Sequence, residues 1–247
     1  MVITEKLSKT ILSDSKIHDY VVNPYVGCEN GCEYCYARFI KKFTGHHEPW
    51  GKFVDVKVNA ADLLAEEVNK KRKGTVWVSG LCDPYQPLEA KYRLTRRCLE
   101  ILVDNGWPVV IQTRSPLVLR DLDIILGAGD LEAGFSVTTA DDDIRKIFEP
   151  HAPSIKERVG ALAEMHALGV RTYAMIAPLL PGAEGLVEIL AGHVDSIIVD
   201  RMNYHYADRL FREHGMEDML TDDFFRNAGK KIREDCIKSS IACNMVY

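Results

Sequence analysis

The chain has 247 residues and a formal net charge of -5, and 47% of its residues are apolar and 27% charged. This composition is that of an ordinary globular protein with enough residues for a sizeable core. It shows neither a secretion signal nor an apolar run of about 18 residues, so we expect a cytoplasmic protein without a membrane segment. The negative charge gives no general attraction to phosphate backbones. Seven cysteines in an unsecreted chain indicate metal ligands or thiols rather than disulfides.

Short apolar runs alternate with helical patterns along the chain. Predicted strands cover residues 20–22, 54–58, 75–78, 109–112, 133–137, 171–177 and 196–199. Predicted helices cover residues 60–68 after an N-cap at Asn59, then 94–102, 116–127, 154–168, 183–191 and 222–238. Repeated βα units favour a parallel sheet with right-handed crossovers. We predict an α/β fold, a partial (β/α)6 TIM-type barrel over about 20–200, in a single domain 1–247 with a short C-terminal helical extension over about 201–247.

Three cysteines, Cys28, Cys32 and Cys35, follow the first predicted strand in the spacing CxxxCxxC. Soft thiolates select zinc, copper(I) or iron-sulfur clusters, and a structural zinc or an electron-transfer cluster normally takes four protein ligands. The next cysteine, Cys82, is 47 residues further on. A 4Fe-4S cluster held by this loop would therefore keep one iron without a protein ligand, and that iron is able to bind a substrate.

With Tyr34 just before the third cysteine, the motif resembles the signature of the radical S-adenosylmethionine (SAM) enzymes. The resemblance implies a 4Fe-4S cluster on the three cysteines, whose open iron binds the amino and carboxylate groups of SAM. It further implies that the cluster reduces the sulfonium and releases a 5'-deoxyadenosyl radical, that Tyr34 packs beside the adenine, and that an external donor such as flavodoxin or ferredoxin supplies the electron. A zinc site completed by His46 or His47, or inert thiols near a turn, are the alternatives for this loop.

Functional residues of such a barrel collect where its strands end. The strand at 75–78 leads into a loop with a glycine and two prolines, in which Asp83 is well placed to meet a cation. By the resemblance, that cation is the amino group of SAM. Cys82, beside it, is either a hydrogen-atom donor, a fourth metal ligand or a small buried side chain.

Three later strands and one helix contribute further candidates for the SAM site. Arg114 offers a bidentate fork that matches a carboxylate, and Arg158 is a second carboxylate candidate, with a surface helix arginine as the alternative. The Ser136 hydroxyl is suited to ribose or carboxylate oxygens. Ile176 begins an apolar turn able to pack against adenine, with a plain core strand as the competing interpretation.

Several segments together resemble the spore photoproduct lyase-like branch of the superfamily over about residues 20–200. They are the cysteine loop, the segment 83–87, Thr113-Arg114-Ser115, and Glu149-Pro150 with Arg158. In the lyase of this branch the radical abstracts a hydrogen from a thymine dimer, and the resemblance implies that Cys82 returns a hydrogen atom. About fifty residues follow the barrel, which leaves little room for a substrate-binding extension, so the branch does not fix the substrate.

We therefore predict a radical SAM enzyme that acts on an unidentified substrate. One alternative is a nucleic-acid repair or modification lyase, which needs a basic groove at the barrel mouth. The local basic clusters at 70–73, 93–97 and 230–233 are the candidates for such a contact. The other alternative is a non-catalytic zinc or iron-sulfur electron-transfer protein, which would lack a SAM pocket.

Overall fold

The computed structural model describes all 247 residues, which form two compact units. The first unit contains Met1–Gly31 and Ala37–Ala133, and the second contains Cys32–Tyr36 and Gly134–Tyr247. The chain changes unit inside the cysteine loop and again inside a strand at residues 131–136. The expected boundary near residue 200, between barrel and extension, lies within the second unit and stays a prediction.

The first unit combines two groups of strands with short helices. Its strands are β1 (Val2–Lys6), β2 (Leu12–Asp14), β3 (Tyr20–Val22), β4 (Tyr25–Val26), β5 (Phe53–Lys57), β6 (Val76–Val78), β7 (Val109–Thr113) and the first half of β8 (Leu131–Ser136). Its helices are α1 (Ala60–Glu67), α2 (Glu89–Tyr92), α3 (Leu94–Asp104) and α4 (Leu122–Gly127). It also has 3-10 helices at Tyr36–Phe43, whose first residue belongs to the second unit, and at Pro116–Asp121.

The strands β3, β6 and β7 are parallel neighbours, with Val22 opposite Val78 and Val78 opposite Ile111. The short β2 runs antiparallel to β3. The strand β5, predicted at 54–58, belongs to a separate three-stranded sheet, in which it pairs in parallel with β1 and antiparallel with β4. The sequence did not predict β1, because its side chains are mostly exposed and carry no apolar alternation.

The second unit alternates strands and helices. After the end of β8 its strands are β9 (Arg171–Ile176), β10 (Ser196–Val199) and β11 (Ala242–Met245). Its helices are α5 (Asp142–Phe148), α6 (Ile155–Ala167), α7 (Leu186–Leu190), α8 (Asp208–Glu213) and α9 (Asp222–Lys238), with 3-10 helices at Ala183–Gly185, His205–Ala207 and Glu217–Leu220.

The strands of the second unit follow the order β8-β9-β10-β11, and β10 pairs in parallel with both β9 and β11. The helix α9 has the predicted bounds, but β11 was not predicted, so the extension contributes a strand as well as helices. Both units alternate parallel strands with helices, which confirms the predicted α/β class. None of the helices is long and apolar enough to cross a membrane.

Asn59 lies at the N-cap position of α1, as predicted, but its side chain does not cap the helix. Its amide instead pairs with the backbone of Ser8: Oδ1 accepts from the Ser8 N–H at 2.9 Å, and Nδ2 donates to the Ser8 carbonyl at 2.9 Å. The residue therefore joins the N-terminal segment to α1 through an interaction that sequence spacing does not reveal.

A buried carboxylate organises the start of α3. Glu89 accepts hydrogen bonds from the Tyr25 hydroxyl at 2.5 Å, from the backbone N–H groups of Thr95 at 3.0 Å and Arg96 at 3.2 Å, and from Arg120 Nη2 at 2.8 Å. These two N–H groups are among the donors that a helix start leaves unpaired. Burial and the neighbouring Glu89 raise the pKa of Tyr25 well above its ordinary value, so its phenol stays a donor.

The helix α6 begins with a capping box. Ser154 Oγ accepts from the Glu157 N–H at 3.3 Å, and Glu157 Oε2 accepts from the Ser154 N–H at 2.8 Å. The bonds from Ser154 lower the pKa of Glu157, so their contribution to stability is present at neutral pH and is lost as the pH falls through that lowered pKa.

We expect Ser154→Ala to lower the free energy of unfolding by about 1 kcal/mol, because a helix-start donor loses its partner. Urea unfolding followed by circular dichroism at pH 7 measures this change. The matched control is Ser239→Ala at the exposed end of α9, which should change stability by less than about 0.5 kcal/mol. Equal midpoints for Ser154→Ala and wild type would contradict the role of the cap.

Candidate functional site

The three cysteines of the motif lie on the loop between β4 and the 3-10 helix that starts at Tyr36. Two glycines shape this loop: Gly27 has φ +90° and Gly31 has φ +59°, the left-handed region that favours glycine. Gly31 also packs closely against Gly51, where an added Cβ would lie 2.8 Å from the Gly31 Cα. The loop therefore wraps tightly, without side chains at its bends.

The cysteines carry thiols rather than disulfides. Cys28 and Cys32 are buried, and Cys35 is half-buried. The backbone N–H of Asp83 points to Cys28 Sγ at 3.4 Å. A main-chain donor on a cysteine sulfur stabilises negative charge there, as metal-bound thiolates require. Three cysteine sulfurs, with a main-chain hydrogen bond to one of them, suit an iron-sulfur cluster by their chemistry, but the structure does not bring their side chains together into a metal-binding group.

The side chain of Asp83 is buried and accepts hydrogen bonds on both oxygens. Oδ1 accepts from the Thr113 hydroxyl at 2.6 Å and the Tyr85 N–H at 2.9 Å. Oδ2 accepts from Asn30 Nδ2 at 3.1 Å and the Arg114 N–H at 2.8 Å. A carboxylate has about four lone-pair sites, so protein donors occupy all of them. Asp83 thus joins the cysteine loop to the loop after β6 and to the end of β7.

The same two loops are joined a second time through Gln86 and Glu29. Gln86 Oε1 accepts from the Glu29 N–H at 2.9 Å, and Gln86 Nε2 donates to the Gly27 carbonyl at 3.4 Å. Glu29 Oε2 in turn accepts from the Leu88 N–H at 2.6 Å. The first half of the cysteine loop is therefore held by side chains of the proline-rich segment.

A buried asparagine just before the cysteine loop shapes the loop after β6. Asn23 Oδ1 accepts from the Ser79 hydroxyl at 2.7 Å and from the N–H groups of Gly80 and Leu81, both at 2.9 Å. Sequence reasoning assigned Asn23 no role. The sequence signal for Asn23 was the proline that follows it, a combination typical of turns. The hydrogen-bond partners of Asn23 lie more than fifty residues away.

Cys82 packs against a hydrophobic cluster that includes Tyr25, Val54 and Val56. Its sulfur lies 3.1 Å from Ser79 Oγ and 3.6 Å from the Tyr25 carbonyl. Burial raises the pKa of Cys82 to about 12. The sulfur therefore remains a protonated thiol at neutral pH, which is the form that a hydrogen-atom donor requires.

In the second unit, a buried carboxylate holds the other end of the cysteine motif. The Tyr34 hydroxyl donates to Glu149 Oε1, which also accepts from the Thr138 hydroxyl at 3.1 Å. Glu149 Oε2 forms an ion pair with Arg158, and both side chains are fully buried. The backbone of the neighbouring Glu33 donates to the Phe148 carbonyl at 2.9 Å. Tyr34 is thereby fixed through its hydroxyl group.

The guanidinium of Arg158 is occupied by protein acceptors. Besides its ion pair with Glu149, Nη1 donates to the Ser136 carbonyl at 3.0 Å and Nε donates to the Pro153 carbonyl at 2.9 Å. The alternative of a surface helix arginine is wrong, since Arg158 is fully buried. The sequence analysis named Glu149 only as part of a segment that resembles the lyase-like branch. It did not predict the hydrogen bond from Tyr34 to Glu149.

The remaining predicted residues lie at strand ends. Arg114 directly follows β7 and is half-buried, and its backbone N–H donates to Asp83. Ser136 is the last residue of β8 and Ile176 the last of β9, and both are buried. The Ile176 carbonyl accepts from the Asp200 N–H at 3.0 Å. In the first unit the structure brings Asp83, Arg114 and Cys28 together, and in the second it brings Arg158 to Ser136.

One of the two histidines proposed as a zinc ligand, His46, has other partners. His46 Nδ1 lies 3.1 Å from Glu48 Oε2, and Nε2 lies 2.9 Å from Asp55 Oδ1. The ring also stacks on Phe53 with centroids 4.2 Å apart. Both ring nitrogens face carboxylates, so His46 is not available to complete a zinc site with the cysteines.

Comparison with known proteins identifies the class to which this site belongs. The model of the radical SAM superfamily matches residues 22–184, which include the three cysteines and the ends of β6 to β9. The chain belongs to this superfamily. Membership implies a 4Fe-4S cluster and SAM as cofactors, and it supports an enzymatic role.

Similar proteins cover the chain to different extents. The uncharacterized protein MJ0683 of Methanocaldococcus jannaschii is 38% identical over 66% of the chain and 61% of its own length. The radical SAM Nalpha-GlyT isomerase of Pseudomonas phage M6 is 26% identical over 66% of the chain and 33% of its own length. The chain thus spans less than two thirds of these relatives.

A solved structure of spore photoproduct lyase complexed with dinucleoside spore photoproduct covers 99% of the chain and 82% of that protein. Its TM-score is 0.74 at 15% identity. The match shows a shared fold and confirms the partial TIM-type α/β architecture and the resemblance to the lyase-like branch.

The contacts of Asp83 generate the first prediction for the site. Asp83→Asn places an NH2 group where a carboxylate oxygen now accepts two donors, so we expect loosening of the cysteine loop and at least a twofold loss of iron bound after anaerobic reconstitution. Iron and sulfide analysis per chain measures this. Asp104→Asn, at the exposed end of α3, is the control. Full iron content combined with weakened SAM binding would instead assign Asp83 to SAM alone.

The raised pKa of Cys82, a half-buried thiol like Cys243, leads to the second prediction for the site. With a pKa of about 12, roughly one thiol in ten thousand is ionised at pH 8, so Cys82 should resist iodoacetamide in the folded protein and react after unfolding in urea. Peptide mass spectrometry reports each cysteine separately, and the half-buried Cys243 serves as the comparison site. Rapid labelling of folded Cys82 would show that its sulfur is open to solvent.

Proposed function

We propose that the protein is a radical SAM enzyme in which Cys28, Cys32 and Cys35 hold a 4Fe-4S cluster with one iron open for SAM. When bound, the cluster supplies the electron that cleaves SAM to a 5'-deoxyadenosyl radical, which abstracts hydrogen from a substrate. The observation that carries the proposal is the donor set itself: three thiols on a tightly wrapped loop, with the Asp83 N–H directed at one of them. Family membership supports it independently.

The chain's own side chains contribute orientation and exclusion of water. Arg114 is the proposed partner of the SAM carboxylate, since its side chain starts at a strand end while its backbone is already fixed on Asp83. Asp83 is proposed to act at the SAM amino group as a positioning residue, because four protein donors already fill its acceptor sites. Tyr34, a buried side chain held through its hydroxyl, is the proposed neighbour of the adenine.

The buried residues of the second unit contribute to the same proposed site. Ser136 and Ile176 lie at the ends of β8 and β9, where ligands of this architecture bind. Arg158 acts on this region by fixing the Ser136 carbonyl at 3.0 Å, and we propose that it positions the strand end. We propose Cys82 as the hydrogen-atom donor because it lies on the loop after β6, 3.1 Å from Ser79 Oγ, and its raised pKa favours the thiol form.

The similar proteins catalyse two different types of reaction by their names. One relative is named an isomerase, and the matched structure is a lyase in complex with a dinucleoside. The isomerase name supports radical chemistry and the dinucleoside of the lyase complex supports a nucleoside-bearing substrate, so repair or modification of nucleic acid is the second candidate function. No residue of the site favours the lyase reaction over isomerisation.

The electron comes from outside the chain in this proposal. Cys98 and Cys236 are fully buried, and burial raises the pKa of each to about 12, which disfavours both as ligands of a second cluster. We propose a one-electron donor of the flavodoxin or ferredoxin kind. Seven cysteines held as thiols support a reducing, cytoplasmic environment.

The third prediction tests the cluster. Anaerobically reconstituted protein should bind one 4Fe-4S cluster, whose reduced electron paramagnetic resonance spectrum changes when SAM is added, and it should release 5'-deoxyadenosine. Cys28→Ala, Cys32→Ala or Cys35→Ala should each abolish the signal, because a three-thiolate site has no spare ligand. Cys243→Ala, which also removes one half-buried thiol, is the matched control and should retain it. Stoichiometric zinc without iron and sulfide would overturn the proposal.

A further inference from the structure

Two cysteines outside the proposed cluster site lie on facing elements of the second unit. Cys236 lies in the last turn of α9, and Cys243 lies in β11. Both are thiols, and Cys236 is fully buried whereas Cys243 is half-buried. A reagent in solution therefore reaches Cys243 first, and Cys236 is shielded from it.

The turn between α9 and β11 brings the strand directly alongside the helix. The Ile241 N–H donates to the Cys236 carbonyl at 2.9 Å, and the Ser240 N–H donates to the Ile237 carbonyl at 3.2 Å. These two bonds form a Schellman motif, and Ser240 takes the left-handed conformation that this motif requires, with φ +55°. The chain thus reverses immediately after α9, and β11 begins beside the turn that carries Cys236.

Contacts further along show that β11 runs back along α9. Gly229 packs against Met245, since a Cβ added to the glycine would lie 2.8 Å from Met245 Cε. The Tyr247 hydroxyl donates to the Phe225 carbonyl at 2.8 Å. Residues later in this last segment therefore meet residues earlier in the helix.

This register places the two thiols together. Cys243 and Met245 alternate with exposed residues in β11, so they point to the same face, and Cys243 Sγ lies 3.8 Å from Met245 Sδ. Gly229 and Cys236 are about two turns apart, and both are buried on one face of α9. Burial and then the neighbouring Cys243 raise the pKa of Cys236 to about 12, as expected of two thiols in proximity.

The protonation of Cys236 distinguishes between two uses of such a pair. A soft metal ion would require thiolates on both cysteines, whereas Cys236 stays a protonated thiol at neutral pH. Oxidation needs only one accessible thiol, with a second thiol next to it that resolves the product. The pair is therefore suited to oxidation rather than to metal binding.

We propose that Cys236 and Cys243 form a reversible dithiol-disulfide couple that hydrogen peroxide oxidises, with Cys243 as the reacting thiol and Cys236 as the resolving thiol. The Cys243 sulfur attacks one oxygen of the peroxide, the O–O bond breaks, and water leaves a sulfenic acid on Cys243. The Cys236 sulfur then attacks the Cys243 sulfur, the S–O bond breaks, and a second water leaves with the Cys236 proton. The two thiols lose two electrons, and the peroxide is reduced to two waters.

The disulfide closes a clasp between α9 and the last strand of the sheet. β11 has four residues and pairs only with β10, where Ile197 lies opposite Cys243. Such a short edge strand opens easily, because few hydrogen bonds hold it. A bond from Cys243 to α9 restricts this opening and also constrains the unfolded chain, so the oxidised protein is the more stable form. This inference goes beyond the proposed function and does not depend on it.

The test treats the reconstituted full-length protein with a small excess of hydrogen peroxide and maps its cysteines by peptide mass spectrometry without reduction. Wild type should give a linked peptide of Cys236 and Cys243, which dithiothreitol removes. With dimedone present, Cys236→Ala should accumulate a sulfenic acid adduct on Cys243, whereas Cys243→Ala should leave the buried Cys236 unmodified. Cys98→Ala is the matched control, since it removes another fully buried thiol whose pKa burial raises to about 12, and it should retain the link.

Urea unfolding after the same treatment gives a second measurement. Peroxide should shift the urea midpoint of wild type upward relative to that of Cys236→Ala, because loss of a cluster would affect both proteins equally and only wild type gains the disulfide. Absence of the linked peptide in wild type, or modification of Cys236 in Cys243→Ala, would overturn the couple and its assigned roles. Equal shifts of the midpoint in the two oxidised proteins would overturn the clasp.

Discussion

The buried carboxylate of Asp83 is the constraint on which the first half of the site depends. Its two oxygens accept four protein donors, one from the cysteine loop, one from its own turn and two from the end of β7. A buried charge is tolerated only when its acceptor sites are filled. Each of its donors would in turn cost free energy if it were left without a hydrogen bond. The three segments therefore share one geometry, and the Asp83 N–H meets Cys28 Sγ as a consequence.

A second buried carboxylate, Glu149, plays the corresponding part in the second unit. It accepts a hydrogen bond from the hydroxyl of Tyr34 and forms a fully buried ion pair with Arg158. A buried ion pair offsets the free-energy cost of its desolvation only when the remaining guanidinium N–H groups also find acceptors. Here the carbonyls of Ser136 and Pro153 accept them. The cysteine motif is thus anchored by one carboxylate through Asn30, between its first two cysteines, and by another through Tyr34, before its third.

Local patterns predicted much of the fold. The strands β3 and β10 and the helix α9 have the predicted bounds, because apolar β-branched runs and helical spacing are written into neighbouring residues. The strands β1, β2, β4 and β11 were missed, since none of them has a buried alternating face. The pairing of β5 with β1 could not be predicted either, because it depends on residues some fifty positions upstream.

By itself the sequence determined the three-thiolate motif, the α/β class and the strand ends that carry Asp83, Arg114, Ser136 and Ile176, because spacing and periodicity are local properties of the chain. Only the tertiary structure decided the partners of these residues: the four donors on Asp83, the ion pair of Arg158 and the stacking of Tyr36 on Tyr204. The physical reason is that a buried polar group or an aromatic face must find its partner wherever the fold brings one. Thr113 lies 30 residues from Asp83 and Tyr204 lies 168 residues from Tyr36, beyond the reach of any local pattern.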